Sequence, residues 1–185
     1  MEALGAISAL LRADPLRWRL LGMVRDLRLP DAWIGAGFIR NAVWDHLHGR
    51  AGSGLHSDVD VIWYDPVQTD PEIDRTYETL LLAAEPGVAW SVKNQARMHK
   101  RNGDPPYSST MDAMRYWPET ATALAARRDL NNECHIAAPL GAEDLMNLVL
   151  RPTPHFVRNR MRDYHKRVQE KGWTSVWPRL TLVAK

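Results

Sequence analysis

The chain has 185 residues, 45% of them hydrophobic, with 24 Lys and Arg against 22 Asp and Glu for a formal charge of +2. That length and apolar content suit one domain with a single good core, and so weak a positive charge permits a nucleotide or nucleic-acid partner without requiring one. The lone cysteine, Cys134, excludes an internal disulfide and fits a reducing cytoplasm; no stretch reaches the roughly twenty apolar residues of a membrane span, and the N-terminus lacks a signal-peptide pattern.

Ala3, Leu4, Ile7, Leu10 and Leu11 recur at helical spacing. Asp14 and Pro15 start a second helix, whose Leu16, Leu20, Val24 and Leu27 line one face until Pro30. A strand over 32–35 leads through a glycine turn into a helix from Gly37 to about Leu47, with Phe38, Ile39, Ala42, Val43 and Leu47 inward. Small residues make 50–56 a loop, and 59–64 reads as a strand. A helix opens at Asp70 and Pro71 and closes at Glu85, with Ile73, Tyr77, Leu80, Leu81 and Ala84 inward. Residues 88–99 read as one strand bent at Asn94, and 109–116 as a short helix. The alanines of 120–127 allow a helix, or a strand in a hairpin with 134–138; periodicity leaves both open, and the hairpin is preferred. A helix is expected over 141–150, with Glu143 and Asp144 at its positive end. Thr153 and Pro154 cap a last long helix, striped by Val157, Met161, Tyr164 and Val168 and ended by Gly172; a packing segment follows.

Two fragments carry chemistry, 34–41 and 57–61. Side chains i and i+2 of a strand share a face, so Asp58 and Asp60 point the same way while Val59 and Val61 enter the core. Paired carboxylates repel unless a cation or proton lies between them, which points to a divalent metal, Mg²⁺ or Mn²⁺. The glycine turn and the helix after it suit a phosphate. One reading is a dinucleotide site of the G-x-G-x-x-G type on Gly35 and Gly37, with Asp58 as the ribose acid. Arg40 in the third glycine position, acids that open their strand, and the lack of further strand–helix–strand units count against it.

The sequence resembles the nucleotidyltransferase superfamily with the polymerase-beta-like fold. In its tRNA CCA-adding and poly(A) polymerase branch the turn reads Gly-Gly-x-Val-Arg-Asp, followed by Leu-Leu-Gly and then Asp-x-Asp. Here Ala36-Gly37-Phe38-Ile39-Arg40-Asn41, Leu47-His48-Gly49 and Asp58-Val59-Asp60 stand in those places. Residues 90–99, 117–122, 138–145 and 151–154 resemble a group of small bacterial nucleotidyltransferase-like proteins, so the likeness covers nearly the whole chain.

The resemblance implies an α+β fold, a mixed central sheet flanked by helices. The catalytic sheet region is expected at 31–140 and a C-terminal helical packing region at 141–185. It implies transfer of a nucleoside monophosphate from a nucleoside triphosphate such as ATP to an acceptor hydroxyl, with pyrophosphate released. Asp58 and Asp60 would be catalytic and metal-binding, and Gly35, Gly37, Arg40, Ser57 and Lys93 nucleotide-binding. The family pattern also expects a third carboxylate as base, for which Glu119 is the first candidate and Asp112 the second. The acceptor (small molecule, RNA end or protein) and the oligomeric state are open. The alternative is a non-catalytic nucleotide- or RNA-binding protein that keeps the fold without the third carboxylate.

Other residues read both ways. Arg40 reaches a phosphate or pairs with Asp45. Lys93 and Arg97, on one strand face, approach the triphosphate or face solvent. Trp63 and Trp90 stack on a base or belong to the core. The seven histidines show no zinc-ligand spacing. The basic residues 151–171, Arg167 among them, steer a polyanion such as tRNA or form a solvated surface; because they wrap around their helix, the solvated surface is preferred.

Overall fold

A computed structural model describes residues 2–50 and 54–183, so part of the 50–56 loop lies outside the described residues. Helices α1 (Glu2–Ala13) and α2 (Pro15–Asp26) open the chain. Asp14 caps α2, its Oδ1 accepting from the Arg17 N–H at 3.0 Å. Then come β1 (Trp33–Gly35), α3 (Gly37–Leu47), β2 (Val59–Trp63), α4 (Pro71–Ala84) and β3 (Trp90–Asn94). Further along, α5 (Gln95–Asn102) and α6 (Thr110–Met114) precede β4 (Ala125–Arg128) and β5 (Cys134–Ala137).

The five strands form one mixed sheet in the order β3-β2-β1-β4-β5. β1 is antiparallel to β2 and β4, whereas β2 and β3 run parallel, with α4 as the crossover that parallel pairing needs. Register decides what each face shows. Gly35 sits opposite Asp60, Asp60 opposite Ser91, and Ile62 opposite Lys93, so these residues share one face. The other face sends Ile34, Val59, Val61, Trp63 and Val92 into the main core, under α1 to α4. Val59 and Val61 are fully buried, each contributing about 1.5–3 kcal/mol. The site face is only half covered, by a small cluster of Trp33, Ile62, Met114, Ala125 and Ala137 with Trp117 against it. What remains, from Ala36 across Asp60 to Ser91 and Lys93, is open as a cleft.

The expected elements differ from the observed ones where one side chain breaks a period. Asn94 does not bend a strand over 88–99; it ends β3 and caps α5, its Oδ1 accepting from the Ala96 N–H at 3.0 Å. In place of a helix over 141–150 there is α7 (Glu143–Met146), reversed at Leu148 with φ 57, and then β6 (Val149–Leu150). The last long helix is two, α8 (Pro154–Asn159) and α9 (Met161–Lys171), interrupted at Arg160, where φ is −142. The hairpin alternative for 120–127 holds, with the strand starting late, at Ala125. On α4 the spacing of Ile73, Tyr77 and Leu81 sets the inward stripe, which leaves Leu80 53% exposed.

The last segment, α10 (Trp173–Val176) and β7 (Thr181–Leu182), folds back on the body. β7 pairs with β6, and Trp44 packs edge-on against Trp173 and Trp177 at 5.9 and 5.1 Å between ring centres. The Trp177 Nε1–H donates to the buried Asp45 at 2.9 Å, fastening the tail to α3.

Candidate active site

The turn between β1 and α3 is built tightly. Ala36 holds φ 55 and ψ −124, a conformation suited to glycine and strained for a residue with a Cβ. No side chain caps α3, so the N–H groups of its first turn have no side-chain acceptor at the positive end of the helix. At Gly37 a Cβ would lie 2.6 Å from the Ser57 Oγ, so the missing side chain lets the segment before β2 close over the helix start. Gly35 serves packing: a Cβ there would meet the Trp117 Cη2 at 2.8 Å.

Asp58 is exposed just before β2, and Asp60 is half-buried two residues on. Burial pushes the Asp60 carboxyl up to about 6; the charge of Asp58 adds to the rise, and Ser91, Arg167 and Arg40 oppose it. The cleft beside it has a volume of about 240 Å³ and is lined by Asp60, Ser91, Lys93, Gln95, Trp117 and Arg167, among others. Larger hollows of about 580 and 480 Å³ flank α2, but neither includes Asp58 or Asp60. Lys93 lies at the cleft edge, its ammonium donating to Glu78 Oε1 at 2.8 Å and to the Val92 carbonyl at 2.9 Å.

Arg40 meets neither a phosphate-facing position nor Asp45. Its side chain is buried, with Nη1 donating to Thr122 Oγ1 and Nη2 to Asn41 Oδ1, both at 2.9 Å. The guanidinium lies 5.0 Å from the Trp44 ring and 4.4 Å from Trp173. Burial lowers it to about 10, and the nearby Glu119 partly restores it. Asp45 is occupied by His56 Nε2 and Trp177. Arg97 lies on α5, paired with the buried Asp74, which also accepts from the Trp63 indole; Trp63 and Trp90 both pack on the core side.

The two candidates for the third carboxylate are engaged elsewhere. Glu119 is fully buried and does not line the cleft; its Oε1 accepts from Arg167 Nε at 2.7 Å, and its Oε2 has no partner. Asp112 accepts from the N–H and hydroxyl of Ser108 and so closes the loop before α6. On the strand beside Asp60 the register position is held by Ser91. Among the described residues no group of three His, Cys, Asp or Glu side chains is arranged to hold a metal. Asp58, Asp60 and Ser91 still offer the hard oxygens that Mg²⁺ or Mn²⁺ prefers, and Asp60, raised first by burial and then by the charge of Asp58, would be held ionised by a bound cation. These residues fit a divalent ion.

Ser91, Gln95, Trp117 and Arg167 are among the cleft residues that sequence reasoning missed. Arg167 stood among many basic residues, although it lies three positions from Tyr164 and one from Val168, at the edge of the inward stripe of α9.

A mixed sheet with a glycine turn into a helix, and an acid pair on the next strand, defines the polymerase-beta-like class of nucleotidyltransferases. A family model described as nucleotidyltransferase matches residues 22–182, and the chain belongs to that family. It is 34% identical to a structure solved by NMR and described as a CCA-adding enzyme head domain, over 97% of this chain and 95% of that one, with a TM-score of 0.87. A CCA-adding enzyme complexed with CTP shares the fold at 19% identity and TM-score 0.56, over 94% of this chain and 49% of that one. The Thermotoga maritima CCA-adding enzyme complexed with tRNA does so at 20% identity and TM-score 0.54, over 84% and 38%. The chain thus spans less than half the length of those two enzymes. No curated protein matches it. Among the described residues no helix is long and apolar enough to cross a membrane.

Proposed function

We propose that the protein transfers a nucleoside monophosphate from a nucleoside triphosphate to an acceptor hydroxyl, using Mg²⁺ or Mn²⁺ held by Asp58 and Asp60. The observation that carries this reading is Asp60 lining a cleft, with Asp58 two residues before it, on the strand next to a glycine turn that leads into an uncapped helix N-terminus. The acceptor hydroxyl releases its proton to solvent water as its oxygen bonds to the α-phosphorus, the bond from that phosphorus to the bridging oxygen breaks, and pyrophosphate leaves. The first-turn N–H groups of α3 bind phosphate oxygens, helped by the positive end of the helix. Gly37 and Ser57 shape the approach, and Trp117 shields the wall over Gly35 from water. A divalent ion held by Asp58 and Asp60 would supply neutralisation of the phosphate charge and activation of the acceptor hydroxyl.

In this reading the chain works as one domain, with its lone cysteine suited to the cytoplasmic nucleotide pool. The acceptor hydroxyl belongs to an RNA end, a small molecule or a protein. Calorimetric titration of ATP, CTP, GTP and UTP with Mg²⁺ into wild type and an Asp58→Ala/Asp60→Ala variant tests it. Metal-dependent binding by wild type and its loss in the variant are expected; no binding, or unchanged binding, overturns it.

A second reading is favoured by Glu119, bound to Arg167, and by Ser91 at the position beside Asp60. It is a nucleotide- or RNA-binding protein without transfer activity. Incubating α-labelled triphosphates with cell extract as acceptor pool separates the two. Label joined to an acceptor, with pyrophosphate released, supports the enzyme, and binding without either supports the second reading.

A further inference from the structure

We infer that Arg167 binds the oxygens of the triphosphate and that Glu119 is its positioning residue, not the base of the reaction. The inference rests on the nucleotidyl-transfer reading and deepens it. Arg167 reaches the cleft from α9, and its side chain is 34% exposed there. One edge of its guanidinium is anchored, Nε donating at 2.7 Å to the fully buried Glu119. Nη1 and Nη2 have no hydrogen-bond partner among the described residues, so the fork that matches phosphate geometry is free.

The contrast with Arg40 sharpens the assignment. Both guanidiniums pack near Trp173, at 4.4 and 5.4 Å from its ring, yet Arg40 spends both terminal nitrogens on Thr122 and Asn41. The carboxylate of Glu119 faces both cations, since it also acts on the charge of Arg40. Glu119 offsets one of these two positive charges; the other acts on Asp60, so a divalent ion held by the acid pair would leave it for an anionic phosphate chain. Glu119 itself has no exposed surface through which to take a proton from a substrate hydroxyl.

Binding of the four triphosphates and of inorganic tripolyphosphate is measured for wild type, Arg167→Met and Arg167→Lys, with thermal unfolding as a control. Loss of charge-assisted hydrogen bonds predicts affinity for triphosphate and tripolyphosphate about ten- to a hundredfold weaker in Arg167→Met, with partial rescue by Lys. As a check independent of folding, saturating triphosphate should protect wild-type Arg167, but not the exposed Arg158, from phenylglyoxal, read by mass spectrometry. Glu119→Gln should weaken triphosphate binding and leave the saturated transfer rate within about threefold. A folded Arg167→Met with wild-type affinity, or unprotected Arg167, overturns the inference and leaves nucleotidyl transfer standing. A saturated rate that falls about a hundredfold in Glu119→Gln at unchanged affinity makes Glu119 the base and also overturns it. Failure of wild type to bind any of the four triphosphates overturns both readings.

Discussion

Replacing Asp60 with Asn should make the protein more stable while disabling its site. Burial and the charge of Asp58 lift this carboxyl from its ordinary 3.8 to about 6. An acid raised in the folded state binds its proton more tightly there than in the unfolded chain. Keeping it ionised therefore costs stability at every pH above the folded value, and the cost fades as pH falls from about 6 towards 3.8. A shift of that size corresponds to about 3 kcal/mol at pH 7.5 and well under 1 kcal/mol at pH 4. For a chain of 185 residues this is about 6–12 °C in unfolding midpoint. The assay is urea or thermal unfolding of wild type and Asp60→Asn at both pH values, with EDTA present so that no bound cation masks the repulsion. A gain confined to the higher pH is expected. Equal stability at pH 7.5, or a gain just as large at pH 4, would refute the view that ionised Asp60, buried and beside Asp58, costs the fold stability.

The turn before α3 offers the next test. Ala36→Gly removes a Cβ from a backbone conformation it resists, and a net gain of about 1 kcal/mol by chemical denaturation is expected after the entropy cost of glycine is deducted. Gly35→Ala drives a methyl into the Trp117 indole. It should cost about 1–3 kcal/mol and shift the tryptophan emission, and an unchanged denaturation midpoint would contradict the contact. Trp177→Phe leaves the buried Asp45 without its indole donor, an expected loss of about 1–3 kcal/mol measured by urea titration.

Local chemistry was legible wherever a few neighbouring residues decide the outcome. The Asp14 and Asp70 caps with their prolines, the span of α3, and the alternation that puts Asp58 and Asp60 on one side of β2 all depend on short-range geometry. The breaks were not legible, because a competing hydrogen bond or a single dihedral made them. Asn94 has polar partners at Asp65 and Gln68, more than twenty residues away, and these turn an apparent strand residue into a helix cap. Arg40 looked like a phosphate ligand from its place in the turn, but the docking of Trp173 seals it. Arg167 looked like surface charge, since its partner Glu119 lies 48 residues earlier in the chain. The acid pair spans the start of one strand and could be read from it; the cations around it come from distant parts of the chain.

The indole of Trp177 and the carboxylate of Asp45 are 132 residues apart in sequence. Closing such a loop is slow relative to forming helices or the β4–β5 hairpin. A newly made chain can therefore pair its sheet and expose the acid pair before α9 and α10 arrive. In that interval the cleft has carboxylates and no Arg167, a surface that repels a triphosphate until a cation or the final helices reach it. With Arg167 as the proposed triphosphate ligand, docking of the tail would set when the protein becomes able to hold nucleotide, and a variant that slows that docking would lengthen a folded but nucleotide-blind stage.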